Sequence, residues 1–184
     1  MSPPRHDRSG IVESTLRLLD EVGLPDLSMR RLATALEVQP SALYWHFPSK
    51  QALLAAVAER ILVAVPDADD GRELMDVALA IHDALLAFRD GAEVVMSTYA
   101  LRLGADRAQR ALAASLPPSG TRDALADAVF EFILGHVTLL QQRMHAQSVG
   151  AVTADAADPA ARAMDVFRAG IHALSGINAA RRPS

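Results

Sequence analysis

The 184-residue chain contains no cysteine. That excludes disulfides and thiolate metal sites and fits a reducing compartment. No apolar run approaches the length of a membrane span, and no charged-then-apolar leader with a cleavage site is present. The chain therefore reads as cytoplasmic, with no membrane partner. The usual marks of catalysis are missing: there is no nucleophile elbow, no HExxH, no glycine-rich phosphate loop, and none of the six histidines stands four residues from another. No enzyme activity, metal or cofactor is expected. Lysine occurs once, at Lys50, against seventeen arginines. That scarcity, beside abundant Arg, Ala and Asp, points to a GC-rich bacterial genome. Strand signals are absent beyond Arg72, and there is no internal repeat.

What is present concentrates in Val38 to Lys50, VQPSALYWHFPSK. Pro40 suits the first turn of a helix, where its missing N–H goes unused. The helix cannot run far, because Phe47-Pro48 disfavours the α region before the proline and Ser49 is a good N-cap for a new helix at Lys50. The remaining two turns, Pro40 to His46, are too short to be stable alone. Leu43 and Phe47 face inward, while Gln39, Ser41, Ala42, Tyr44 and His46 present small and polar surfaces outward, as a segment touching base edges and phosphates would. Trp45 reads as a brace for the helix. Upstream, Ser28 followed by Met29, Leu32, Ala33 and Leu36 gives an N-cap and one apolar helical face. The two short helices, joined by Glu37-Val38-Gln39, make a helix-turn-helix.

Residues 11 to 58, IVESTLRLLDEVGLPDLSMRRLATALEVQPSALYWHFPSKQALLAAVA, resemble the DNA-binding domain of the TetR family of transcriptional repressors. The resemblance implies a phosphate-gripping role for Lys50. The chain departs from the family at Glu37, where glycine is common; a left-handed backbone there would cost a non-glycine residue about 1 kcal/mol. Ser28 and Arg30 are candidates for a phosphate grip by hydroxyl, backbone N–H and guanidinium, since arginine near a helix N-terminus opposes the macrodipole. The DNA-contacting set is therefore Ser28, Arg30, Gln39, Pro40, Ser41, Ala42, Tyr44, His46 and Lys50. Residues 1 to 8 read as a polar arm whose Arg5 and Arg8 are either solvated or touch a groove.

Residues 1 to 60 carry seven basic and seven acidic side chains, the remainder eleven and fifteen, for a net charge of −4. A neutral DNA-binding domain binds weakly through counterion release, so two copies on one duplex are needed, reading half-sites of a palindrome about one helical turn apart. A helix over Gln51 to Val65, about 24 Å long, leads from that domain into the rest. Tilting it by about 10° displaces one end by about 4 Å, enough to disturb half-site register across a groove repeat of about 34 Å.

Beyond it, helical spacing predicts five helices, at 72 to 90, 92 to 104, 106 to 116, 120 to 147 and 158 to 179, broken by Gly91, Gly104, Pro117-Pro118 and GAVTADAAD. The long fourth and the last, with Met164, Phe167, Ile171, Leu174 and Ile177, carry small-residue faces suited to a four-helix dimer interface, as well as to packing within the chain. ALLAFRDGAEVV with Thr98, and FILGHVTLLQQ, resemble the C-terminal core of the tetracycline-responsive class of the family. There the drug enters as a magnesium chelate held by a histidine and neighbouring polar groups. Val95 stands at the matching histidine position, Pro66 and the acidic turn replace a histidine pair, and no carboxylate stands near Leu139, so the oxygen-rich set magnesium requires is missing. The expected effector is instead a mostly apolar small molecule lined by Ile81, His82, Leu85, Val95, Met96, Thr98, Tyr99, Phe132, His136 and Leu139, each of which also fits ordinary core.

The sequence thus predicts an all-α protein. Residues 1–50 form a three-helix helix-turn-helix DNA-binding domain, 51–65 a connecting lever, and 66–184 an antiparallel helical ligand-binding and dimerisation domain. The expected function is a homodimeric repressor, bound to a palindromic double-stranded DNA operator and released by a small molecule. A ligand-independent or partner-controlled regulator or activator is the alternative.

Overall fold

A computed structural model describes residues 7–68, 71–150 and 159–179. Among the described residues the chain is all helix: α1 Arg8–Val22, α2 Met29–Ala35, α3 Pro40–His46, α4 Lys50–Ile61, a 3₁₀ turn Leu62–Ala64, α5 Leu74–Leu86, α6 Gly91–Tyr99, α7 Asp106–Ala114, α8 Arg122–Ser148 and α9 Pro159–Ala179. Arg5, Asp69, Asp70 and the connector at 151–158 lie outside the described residues, as does the side chain of Ile177.

Local chemistry sets the boundaries. Asp7, Ser28 and Ser49 cap α1, α2 and α4, each side-chain oxygen accepting a backbone N–H from the first turn. α1 starts at Arg8, so the polar arm is shorter than the sequence predicts, because Asp7 supplies the cap. The lever is also shorter: α4 has 12 residues, about 18 Å, and tightens into the 3₁₀ turn before Val65 and Pro66. In the α2–α3 turn Val38 N–H donates to Ala33 O at 3.0 Å and Glu37 N–H to Thr34 O at 3.1 Å. This is a Schellman ending, with Glu37 left-handed at φ 54°.

One continuous core runs from Ile11 to Ile171. α1 and α4 bury Ile11, Leu19, Leu53 and Val57 against Leu32, Leu43 and Phe47. α4 packs on both α1 and α6, and α8 packs on α5, α6, α7 and α9. The short α2 and α3 are thus held by tertiary contacts, and α4 touches both the helix-turn-helix and the rest of the chain. No described helix is long and apolar enough to cross a membrane.

Candidate nucleic-acid interface

α3 is built to show one face. Leu43 and Phe47 are fully buried and anchor it, while Gln39, Pro40, Ser41, Ala42, Tyr44 and His46 are exposed. Ser28 and Arg30 at the start of α2 are exposed beside them, and Lys50 is half-exposed in the first turn of α4. The Ser28 hydroxyl oxygen accepts from Arg31 N at 3.2 Å as the α2 cap, leaving its own O–H free to donate. Arg31 leans back onto Asp26 O, whereas the Arg30 side chain has no partner among the described residues.

Trp45 corrects the sequence reading. It braces nothing: it is 89% exposed, more than Tyr44 at 50%. Two residues on from Leu43 is a rotation of about 200°, so the anchor that buries Leu43 turns Trp45 outward. That geometry was available in the sequence. Arg8 is a second surprise. Its Nη1 donates to the His46 carbonyl at 2.7 Å, and its guanidinium lies 4.2 Å from the centre of the Phe47 ring. A cation thus sits on the carbonyl end of α3 and over the aromatic anchor, which favours the helix dipole and fixes the helix end. Nothing in the local pattern of residues 1 to 8 signalled a contact 38 residues away.

The expected effector residues divide. Ile81, His82, Leu85, Val95 and Thr98 are buried; Met96, Tyr99, Phe132 and His136 are partly buried. Leu139 does not join them, being 55% exposed, because it lies about 200° around α8 from the buried Val137. His82, His136, Phe132 and Phe167 form one cluster between α5, α8 and α9, with ring centres 4.8 Å apart for His82–Phe167 and 5.2 Å for His136–Phe167. Asp83 Oδ1, an acceptor, stands 3.0 Å from His82 Nδ1, so that nitrogen carries a proton toward it. Nε2 of both histidines is buried without a protein partner. Burial, then the neighbouring His82, then Arg143 hold the His136 pKa below its usual 6.5. Tyr99 is shifted the other way, upward, by burial first and then by Asp127 and Glu131. It borders a hollow of about 480 Å³ with Arg102, Asp106, Gln109 and Asp127.

Gln141 lies in the FILGHVTLLQQ stretch, and nothing in its local pattern signals its partners. Its Nε2 donates to Leu85 O at 3.1 Å and Phe88 O at 2.8 Å, and its Oε1 accepts from Ala92 N at 3.2 Å. One side chain of α8 thereby closes the end of α5 and the start of α6.

An all-α chain with a helix-turn-helix and an uncovered second helix of that motif has the architecture of a DNA-contacting protein. Residues 11–57 match the family described as bacterial regulatory proteins, tetR family. The chain is similar over 96% of its length and 99% of the other chain to Mycobacterium smegmatis BioQ, at 34% identity and a TM-score of 0.82. A BioQ protein in complex with its natural double-stranded DNA operator is similar at 32% identity and a TM-score of 0.74, covering 91% of this chain and 95% of that one. The tetracycline repressor class A from transposon 1721 of Escherichia coli is 45% identical over 95 residues, 48% of this chain. That match spans 44% of the repressor's own length, less than half. The chain belongs to the TetR family.

Proposed function

We propose that this protein is a homodimeric transcriptional regulator, most simply a repressor, that binds a palindromic double-stranded DNA operator and is released by a mostly apolar small molecule. The observation that carries the reading is the α3 face: two buried anchors hold a two-turn helix whose remaining side chains, from Gln39 to His46, are uncovered. Ser28, Arg30 and Lys50 flank it at helix starts, where hydroxyl, N–H and cation together suit phosphates. Residues 1–50 serve as the DNA-binding domain, 51–65 as the link, and 66–184 as the ligand-binding and dimerisation domain, acting in the cytoplasm where the DNA lies. The relative solved with its DNA operator supports the same assignment.

The dimer face is the uncovered stripe of α8 and α9. Gly135, where an added Cβ would meet nothing, lies four residues before the exposed Leu139 on α8. Val166, Ala169, Ala173 and Gly176 are the matching small or apolar positions of α9. Helices with such faces approach closely, and two from each subunit form a four-helix interface. The effector region is the cluster of His82, His136, Phe132 and Phe167 with Ile81, Leu85, Val95, Met96, Thr98 and Tyr99 around it. Its two unpartnered imidazole nitrogens suit a molecule that is apolar apart from one or two hydrogen-bonding groups.

A duplex selected by the chain from a randomised pool tests the reading. Tight, palindrome-dependent binding at moderate salt is expected, and a failure to enrich any sequence would end it. The close packing of His82 and His136 on Phe167 favours a second reading, a regulator without a ligand or one answering to a partner protein. Thermal shift against a compound panel separates the two, since a ligand of the folded state raises the melting point by linkage.

A further inference from the structure

The α5–α6 turn, Ala87–Asp90, reaches into the helix-turn-helix region at the far end of α1. α1 has no basic residue in its own last turn, so the carbonyls there lack a local cation. Arg89 supplies it from elsewhere: Nη1 donates to Asp20 O and to Glu21 O, each at 3.1 Å. Its neighbour Asp90 accepts from Leu24 N at 2.8 Å through Oδ2. Gly23 makes room for both. Its φ is 79°, and a Cβ there would stand 3.1 Å from Asp90 Oδ2 and 3.2 Å from Arg89 Nη2. Asp90 is itself left-handed at φ 54°, and a Cβ on Gly91 would collide with the Leu85 carbonyl oxygen. The turn therefore has one permitted shape, and Gln141 of α8 pins it through its three hydrogen bonds.

We propose that the Arg89–Asp90 turn is a latch by which α8 fixes the angle of the DNA-binding domain, separately from α4, with Arg89, Asp90 and Gln141 as positioning residues. The inference rests on the dimeric reading above, because the quantity it sets is the separation of two α3 helices. The two halves of the latch differ in strength. The Gln141 bonds and the Asp90–Leu24 bond are part-buried, whereas both Arg89 bonds are exposed. Hollows of about 580 and 430 Å³ flank the turn and share Arg89, Asp90, Gln141 and His145, so water reaches it from two sides. Exposed bonds exchange readily with water and each contributes little. The Arg89 half is thus the reversible one, and an angle change in the DNA-binding domain would break it first.

The absence of cysteine makes the test direct. Thr34→Cys on α2 is exposed, and the Thr34 hydroxyl it removes donates to Arg30 O of its own helix. A nitroxide there reports the distance between the two DNA-binding domains of a dimer by double electron–electron resonance. In the otherwise native chain a narrow distribution is expected. Arg89→Ala, and Arg89→Met, which keeps the stem, should broaden it or shift its mean by about 3 Å per subunit, the displacement of a 10° tilt over the length of α4. Arg89→Lys should fall between. Melting temperature should drop by no more than about 4 °C, since a merely stabilising contact would change only that. Identical distributions in all four proteins would overturn the latch alone. No inter-subunit distance in the parent would remove the dimer and the latch with it.

Discussion

Glu37 occupies the left-handed position that ends α2, with φ 54° and an exposed side chain. Its Cβ there opposes the neighbouring carbonyl, a strain of about 1 kcal/mol that glycine lacks. Glu37→Gly should raise the free energy of unfolding in urea by up to about 1 kcal/mol, less what the freer unfolded chain takes back. A loss of stability would show that the backbone there is not left-handed. His136 gives a residue-scale expectation in pH. Its folded pKa lies below 6.5, from burial and then His82 and Arg143. The unfolded chain therefore binds a proton more readily than the folded one, so no cost exists above pH 6.5, and one grows as pH falls through and below that value. The melting temperature should decline between pH 7.5 and 5.5, and His136→Phe should decline less. Equal slopes would mean that His136 is solvated.

At the scale of the element, α3 and its neighbours divide into buried anchors and uncovered side chains. Lys50 lies in the first turn of α4, capped by Ser49, whose oxygen accepts from Ala52 N at 3.1 Å. If it grips a phosphate, Lys50→Gln should weaken binding to every duplex alike and reduce the magnitude of the salt slope by about 1. An unchanged slope measured by fluorescence anisotropy from 50 to 200 mM salt would make it a solvated residue. Trp45→Ala should weaken DNA binding while leaving the melt nearly unchanged, because the side chain is almost wholly exposed among the described residues. The elements themselves were legible: caps at Ser28 and Ser49, Pro40 at a first turn, and breaks at Gly91, Gly104 and Pro117-Pro118 each act within a few residues, and the helices begin and end near them. The outward face of α3 was legible for the same reason, since Leu43 and Phe47 fix the rotation. What escaped were contacts between distant segments. Arg8 on His46, Gln141 on Leu85 and Phe88, and Arg89 on Asp20 join residues 38 to 69 positions apart, and no periodicity encodes them. Leu139 is exposed rather than core because it lies about 200° around α8 from the buried Val137.

At the scale of the whole molecule the charge decides what the fold must do. The net charge is −4, and the first 60 residues balance seven basic against seven acidic side chains. Under the proposed function, attraction to phosphate is then too weak for one α3 helix to hold a duplex at moderate salt, and a second copy supplies the affinity. In the proposed dimer the apolar stripe between the copies is Leu139 on α8 with Val166 on α9, 55% and 53% exposed. Neither side chain belongs to the core, so Leu139→Glu with Val166→Glu should leave the subunit folded by circular dichroism. Four carboxylates would then face one another across the dimer axis, and sedimentation should report single subunits. Binding to the palindrome should fall by about 10²-fold or more, the avidity lost when two sites are uncoupled, while binding to an isolated half-site stays as weak as before. A double variant that remains dimeric would place the interface elsewhere, and one that is monomeric yet binds the palindrome undiminished would show that α3 does not act in pairs.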